Sequence, residues 1–244
     1  MTRLPLELTQ APLRTVRPRD LAHRYVNPRA QLARWTKTGA VTRVARGYFV
    51  ATPDDQGKDW KPTIEAAAAG IAAAIFGQQN VVLMGVTAAR IHHVIPRAIG
   101  NAVVAVPRQH RPVELEDGGR VVFVMRDTVQ LRARLETLET GKALVTTPEQ
   151  TMTDLAKRPH LGGVPQEARD ALRNLVPLVD LEMVERLAHQ QHTIKAWETT
   201  KALTWLTATD GEATTVDGSK ARGDQKVGCR FRSQLDSILP SAQR

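Results

Sequence analysis

A chain of 244 residues that is 42% apolar but only 4% aromatic can build one or two domains, with cores filled chiefly by alanine, valine and leucine. Its single cysteine, Cys229, excludes an intramolecular disulfide and the recurrent zinc patterns, and its longest uncharged apolar run, residues 66–76, falls far below the ~20 residues of a membrane span. Of the net charge of +9, residues 1–52 carry +8, from ten Lys/Arg against two acids, whereas residues 53–244 hold 24 bases and 23 acids. That asymmetry predicts a polyanionic partner for the first fifth of the chain. The amino-terminal residues lack the apolar stretch of an export signal, so the expected setting is a reducing bacterial cytoplasm with no membrane contact.

The basic segment reads as helix, helix, helix, hairpin. Leu4, Leu6, Leu8 and Leu13 predict a first helix over 4–13. A second, over 17–25, has Pro18 in its first turn and Leu21 and Tyr25 on one face. Asn27 is a good N-cap and Pro28 a good first residue for a third helix, 28–38, which ends at Gly39. Leu32 and Trp35 should face inward, leaving Arg29, Gln31, Arg34 and Lys37 on the outer arc. A hairpin follows over 40–51. Val41 and Val44 cannot both face inward on a regular strand, so either a bulge intervenes or the strand begins late; Gly47 can supply the positive φ of its turn.

Residues 54–60 are polar and read as a linker. Beyond them an alanine-rich helix is expected over 61–76, a buried strand at 81–84, a helix start at 85–91 and strands at 102–106 and 121–125, with a turn at 114–119. Thr147 and Gln150 form a capping-box pattern opening a helix that ends at Arg158-Pro159. Helices are predicted at 165–175, 180–189 and 193–206. Strands first and helices later describe an α+β class: a unit at 1–56, a larger α+β domain at 61–206 ending in a run of helices, and a disordered tail at 207–244, apart from a loose helix over 229–239.

The motifs of nucleotide-binding, zinc-protease and serine-hydrolase sites are missing. His92 and His93 would diverge on a helix, and His189 and His192 have no third ligand in view, so no metal or cofactor is expected. Asp180, Glu182 and Glu185 form an acidic cluster on an ordinary amphipathic helix, and Glu139 and Lys142 flank a turn. Neither group has the strand context of a metal-dependent nuclease, so surface charge is the expected role and no catalytic residue is assigned. Met183 and Trp197 read as core.

The basic helix and hairpin carry the functional signal. Two consecutive short helices, the second basic and capped, followed by a hairpin, is the order of a winged helix-turn-helix. Helix 28–38 is narrow enough for a major groove. Arg29 and Arg34 could pair with guanine or hold phosphate, and Gln31 suits adenine. Lys37, Arg17 and Arg19 extend the basic surface, while Arg43 and Arg46 on the wing could grip phosphates or enter a minor groove.

The stretch LARWTKTGAVTRVARGYFVATP, 32–53, resembles the end of the amino-terminal winged helix of the AbiEi-family antitoxins, through Leu32, Gly39, Val41, Arg43, Val44, Arg46, Gly47, Tyr48 and Val50. MGVTAARIHHV at 84–94, VVAVP at 103–107 and VTTPEQTMTDLAKRP at 145–159 are similar to later segments of that family in the same order, so the likeness runs over about 12–190. Arg90 departs from it, standing where an aromatic or aliphatic residue is expected. The resemblance implies a repressor of its own operon acting through the winged helix, and the half-site logic of such domains suggests two copies on an inverted repeat in the promoter. It also implies antagonism of a nucleotidyltransferase toxin through the carboxy-terminal domain, by residues the likeness does not identify. Two rivals remain at this point: a winged-helix regulator whose second domain senses a small ligand, and a winged-helix-targeted nuclease using Asp180 or Glu182.

Overall fold

The computed structural model describes residues 5–212. The expected α+β class is what it shows. The first segment opens with α1 (Leu6–Thr9), a 3-10 turn (Pro12–Arg14) and strand β1 (Thr15–Val16). The predicted helix over 4–13 is therefore cut short: Leu13 and Arg14 take positive φ (49° and 53°), which turns the chain into β1 and buries Leu13 elsewhere. The predicted helix over 17–25 is a 3-10 helix, Pro18–Leu21, followed by turns. Asp20 accepts from the Arg17 backbone N–H (2.9 Å) and clamps its guanidinium, which fixes the entry to that turn.

Helix α2 (Pro28–Lys37) starts as expected, the Asn27 side chain accepting from the Ala30 N–H at 3.1 Å. Strands β2 (Val41–Ala45) and β3 (Tyr48–Ala51) form the hairpin, with β1 added on the far side of β3 to give the order β1-β3-β2. The register shifts between Arg43 and Ala45, so the bulge is real, and it lets Val41, Val44 and Ala45 all be buried. Gly47 has φ 85° at the turn. A small core gathers Leu8, Val16, Leu21, Leu32, Val41 and Ala51, with Tyr25 edge-on to Trp35 at 5.5 Å.

Six strands form the larger sheet: β4 (Val82–Leu83), β5 (Asn101–Val106), β6 (Val113–Glu114), β7 (Arg120–Met125), β8 (Ala133–Leu138) and β9 (Gly141–Thr146). Their order is β6-β7-β5-β4-β9-β8, with β5–β7 and β4–β9 parallel and the other pairs antiparallel. Strands β6, β8 and β9 are additions to the sequence-based expectation, so Glu139 and Lys142 flank a β-hairpin turn. Glu139 holds the linker there, accepting from the Thr63 backbone N–H and from the Trp60 indole at 3.3 Å.

Alternation along β4 and β5 sorts the side chains into two layers. Leu83, Ala102, Val104 and Val106 face α3 (Ile64–Phe76), whose alanines permit close approach. Val82, Met84, Val103 and Ala105 face α4 (Val86–Ile91) and the helical run α5 (Pro148–Lys157), α6 (Pro165–Leu175), α7 (Leu181–Gln190) and α8 (Ile194–Glu212). Helix α8 passes the expected end at 206, so residues 207–212 are helical rather than tail; the rest of the tail, including 229–239, lies outside the described residues.

Thr147 caps α5 by accepting from the Gln150 N–H (3.4 Å), but the Gln150 side chain does not return the bond. It turns inward to Asp154 (3.1 Å) and to Gln191 at the end of α7 (2.6 Å), where Arg126 from the end of β7 joins both. This buried polar knot ties the sheet to two helices. Arg90, the departure noted above, pairs with the buried Glu65 of α3.

The hairpin does not stand apart from the larger sheet. Val44, Ala45 and Val50 belong to the same apolar cluster as α3. Ala45 bridges to Leu115, and the Glu116 N–H donates to the Val44 carbonyl at 2.9 Å. The linker folds back as well: the Thr42 hydroxyl donates to the Trp60 carbonyl at 2.9 Å.

Candidate nucleic-acid interface

The outer face of α2, the 3-10 turn before it and the tip of the hairpin surround an open cleft of about 1040 Å³. Six of the eight residues singled out from sequence line it: Arg17, Arg19, Arg29, Lys37, Arg43 and Arg46. Gln31 and Arg34 lie on α2 outside its lining; Gln31 is half-buried and Arg34 exposed. Capping by Asn27 fixes where α2 begins, and inward Leu32 fixes its rotation, so Arg29, Arg34 and Lys37 all reach solvent.

These cations are not equivalent. Arg17 is spent structurally: its guanidinium makes two 2.9 Å bonds to Asp20, and its side chain is only 16% exposed. Arg43 is paired with Glu116 at 2.9 Å, although about half its side chain remains exposed. Arg19 is 70% exposed and 4.0 Å from Asp20, a weak tie. Arg29, Arg34, Lys37 and Arg46 are exposed and meet no carboxylate among the described residues. Uncompensated, solvent-facing cations of this kind are what a polyanion can recruit without first breaking an ion pair.

The lining also includes Tyr48, Phe49, Ile75 and His110, none of which the sequence singled out as a contact residue. Tyr48 and Phe49 are hairpin residues that contribute apolar surface to the lining. Burial pushes the Tyr48 hydroxyl above its usual value, with Arg17 pulling the other way. Ile75 and His110 come from α3 and from the loop after β5, far along the chain. The available signal was local: residues 66–113 hold four arginines and no acid, a bias hidden when charge is summed over 53–244.

The remaining candidates have other work. His92 donates to the Thr146 carbonyl (2.7 Å), and burial lowers its basicity, while His93 is exposed at φ 60°, so the two do not converge. Asp180 caps α7, accepting from the N–H groups of Glu182 (3.0 Å) and Met183 (3.4 Å). Trp197 packs against the helical core with the Lys201 ammonium 5.3 Å from its ring centroid, and Met183 is half-buried. No helix among the described residues is long and apolar enough to cross a membrane.

In fold, the chain is similar to the RV2827C protein from Mycobacterium tuberculosis, with a TM-score of 0.52, 18% identity, and coverage of 83% of this chain and 77% of that one. No curated protein matches it in sequence. The sequence pattern of the AbiEi antitoxin C-terminal domain matches residues 80–204, from the strand β4 region into α8. That match takes in more than half of the 244 residues, and the chain belongs to the AbiEi antitoxin family.

Proposed function

We propose that residues 1–56 are a winged helix-turn-helix that reads promoter DNA. We further propose that residues 61–206 antagonise a nucleotidyltransferase toxin encoded beside this gene, so that one protein both represses its operon and neutralises its product. The observation that carries the DNA reading is the group of solvent-facing cations Arg29, Arg34 and Lys37 on α2, beside Arg46 at the hairpin turn, which meet no carboxylate among the described residues. The element order supports it: helix, strand, turn, helix, hairpin, with β1 returning to pair with β3. In this reading α2 enters the major groove, Arg29, Arg34 and Gln31 reach base edges or flanking phosphates, and Lys37, Arg19 and Arg46 hold the backbone. Arg43 joins them after exchanging Glu116 for phosphate, and Arg17 braces the turn. Two copies on an inverted repeat follow from the half-site logic of such domains.

Binding of the full chain to the DNA upstream of its own gene, measured by gel shift across a salt series, tests this. Arg34→Ala is expected to weaken specific binding by ~1–3 kcal/mol if it reads a base. Arg46→Ala is expected to weaken binding to all sequences and flatten the salt slope by about one. Wild-type binding retained in both variants rejects these roles. For the second activity, co-expression with the neighbouring nucleotidyltransferase should restore growth, and failure of rescue removes the toxin assignment.

A further inference from the structure

We infer that the loop of residues 107–112, which joins β5 to β6, is an additional DNA contact, supplied by the larger domain and held in fixed relation to the wing. The loop reads Pro-Arg-Gln-His-Arg-Pro. His110 lines the same cleft as Arg29, Lys37, Arg43 and Arg46. On either side of it, Arg108 and Arg111 are exposed and meet no carboxylate among the described residues.

Three features make this a built surface rather than a loose charged loop. Pro107 and Pro112 fix φ at both ends, which lowers the entropy cost of ordering it on a partner. The His110 ring packs edge-on against Phe123 (5.0 Å between centroids) and Phe76 (5.9 Å), and its Nδ1 donates to the Arg111 carbonyl at 2.7 Å. Immediately downstream, the chain is fastened to the wing through the Ala45–Leu115 bridge, the Glu116–Val44 hydrogen bond and the Arg43–Glu116 ion pair. A duplex that reaches Arg46 at the wing tip would meet His110 across the same cleft, with the exposed Arg108 and Arg111, which lie outside its lining, next to it in the chain. The chemistry on offer there is guanidinium on phosphate, which positions without reading sequence.

This inference rests on the DNA-binding reading above, and the test separates the two. The full-length protein, an R108Q/R111Q double variant and an R108K/R111K variant are titrated with salt on a short mixed-sequence duplex, binding being followed by fluorescence anisotropy. Each phosphate contact contributes about −0.9 to the slope of log K against log salt. The Gln variant is expected to show a slope shallower by roughly two, with the Lys variant retaining most of the wild-type slope. Wild-type binding with an unchanged slope in the Gln variant overturns the loop contact alone. Equal losses in the Gln and Lys variants also overturn it, since charge would not be the cause. Failure of the wild-type chain to bind any duplex overturns the DNA-binding reading and the loop contact with it.

Discussion

Asp154 is 4% exposed in the middle of α5. One carboxylate oxygen is held by Arg126 (3.2 Å) and Gln150 (3.1 Å), and the other has no partner among the described residues. Burial is the larger influence, and it raises the carboxyl from 3.8 to about 6 although Arg126 pulls it down. A raised value means that the folded state holds this proton more tightly than the unfolded chain. The associated stability is fully present below about 3.8 and is lost as pH rises through about 6, at about 1.4 kcal/mol per unit of separation. Urea melts across that window should show a falling contribution from this group, and Asp154→Asn should flatten the curve there. A curve of the same shape in the variant would reject the assignment. The knot itself was only half legible in the sequence. The Thr147 cap could be read from local spacing, but the turn of Gln150 toward Gln191, 41 residues away, depends on packing that no local pattern encodes.

Between elements, the closest approach worth testing is α3 against β1. A Cβ added at Gly70 would overlap the Thr15 hydroxyl and come within 3.0 Å of the Thr15 Cβ. Gly70→Ala gains about 1 kcal/mol in helix propensity, yet overpacking costs typically 1–3 kcal/mol, and here the neighbour is a strand already paired to β3. The variant should melt at a lower temperature, and adding Thr15→Ala should restore part of the loss; a stabilised single variant would refute the tight contact. Strongly periodic helices such as α6 and α7 were readable because a single apolar stripe sets their inner face. Strand β8 was not: it is a sheet edge where Arg134 and Glu136 pair with each other, so its alternation lacks a clean apolar face. The opening helix failed for the converse reason, four leucines imitating a stripe that the positive φ at Leu13 breaks.

At the scale of the molecule, charge made the α2 and hairpin cations visible, whereas His110 joined them only through folding. The apolar cluster under the hairpin has the same mixed ancestry, uniting Val44, Ala45 and Val50 with α3 and the larger sheet. An isolated fragment of residues 1–56 would expose that face to water. It is expected to melt broadly and at lower temperature than the full chain, by circular dichroism. A sharp, equally stable transition in the fragment would show that the first segment folds without this support.

The seam at Ala45 and Leu115 also limits modular exchange. A chimaera that transplants another protein's first fifty-odd residues onto this scaffold would bring a foreign hairpin edge against Leu115, Glu116 and the alanines of α3. Recombination or engineering that respects only the linker at 54–60 would cut through a joint, and a viable graft would have to carry both sides of it.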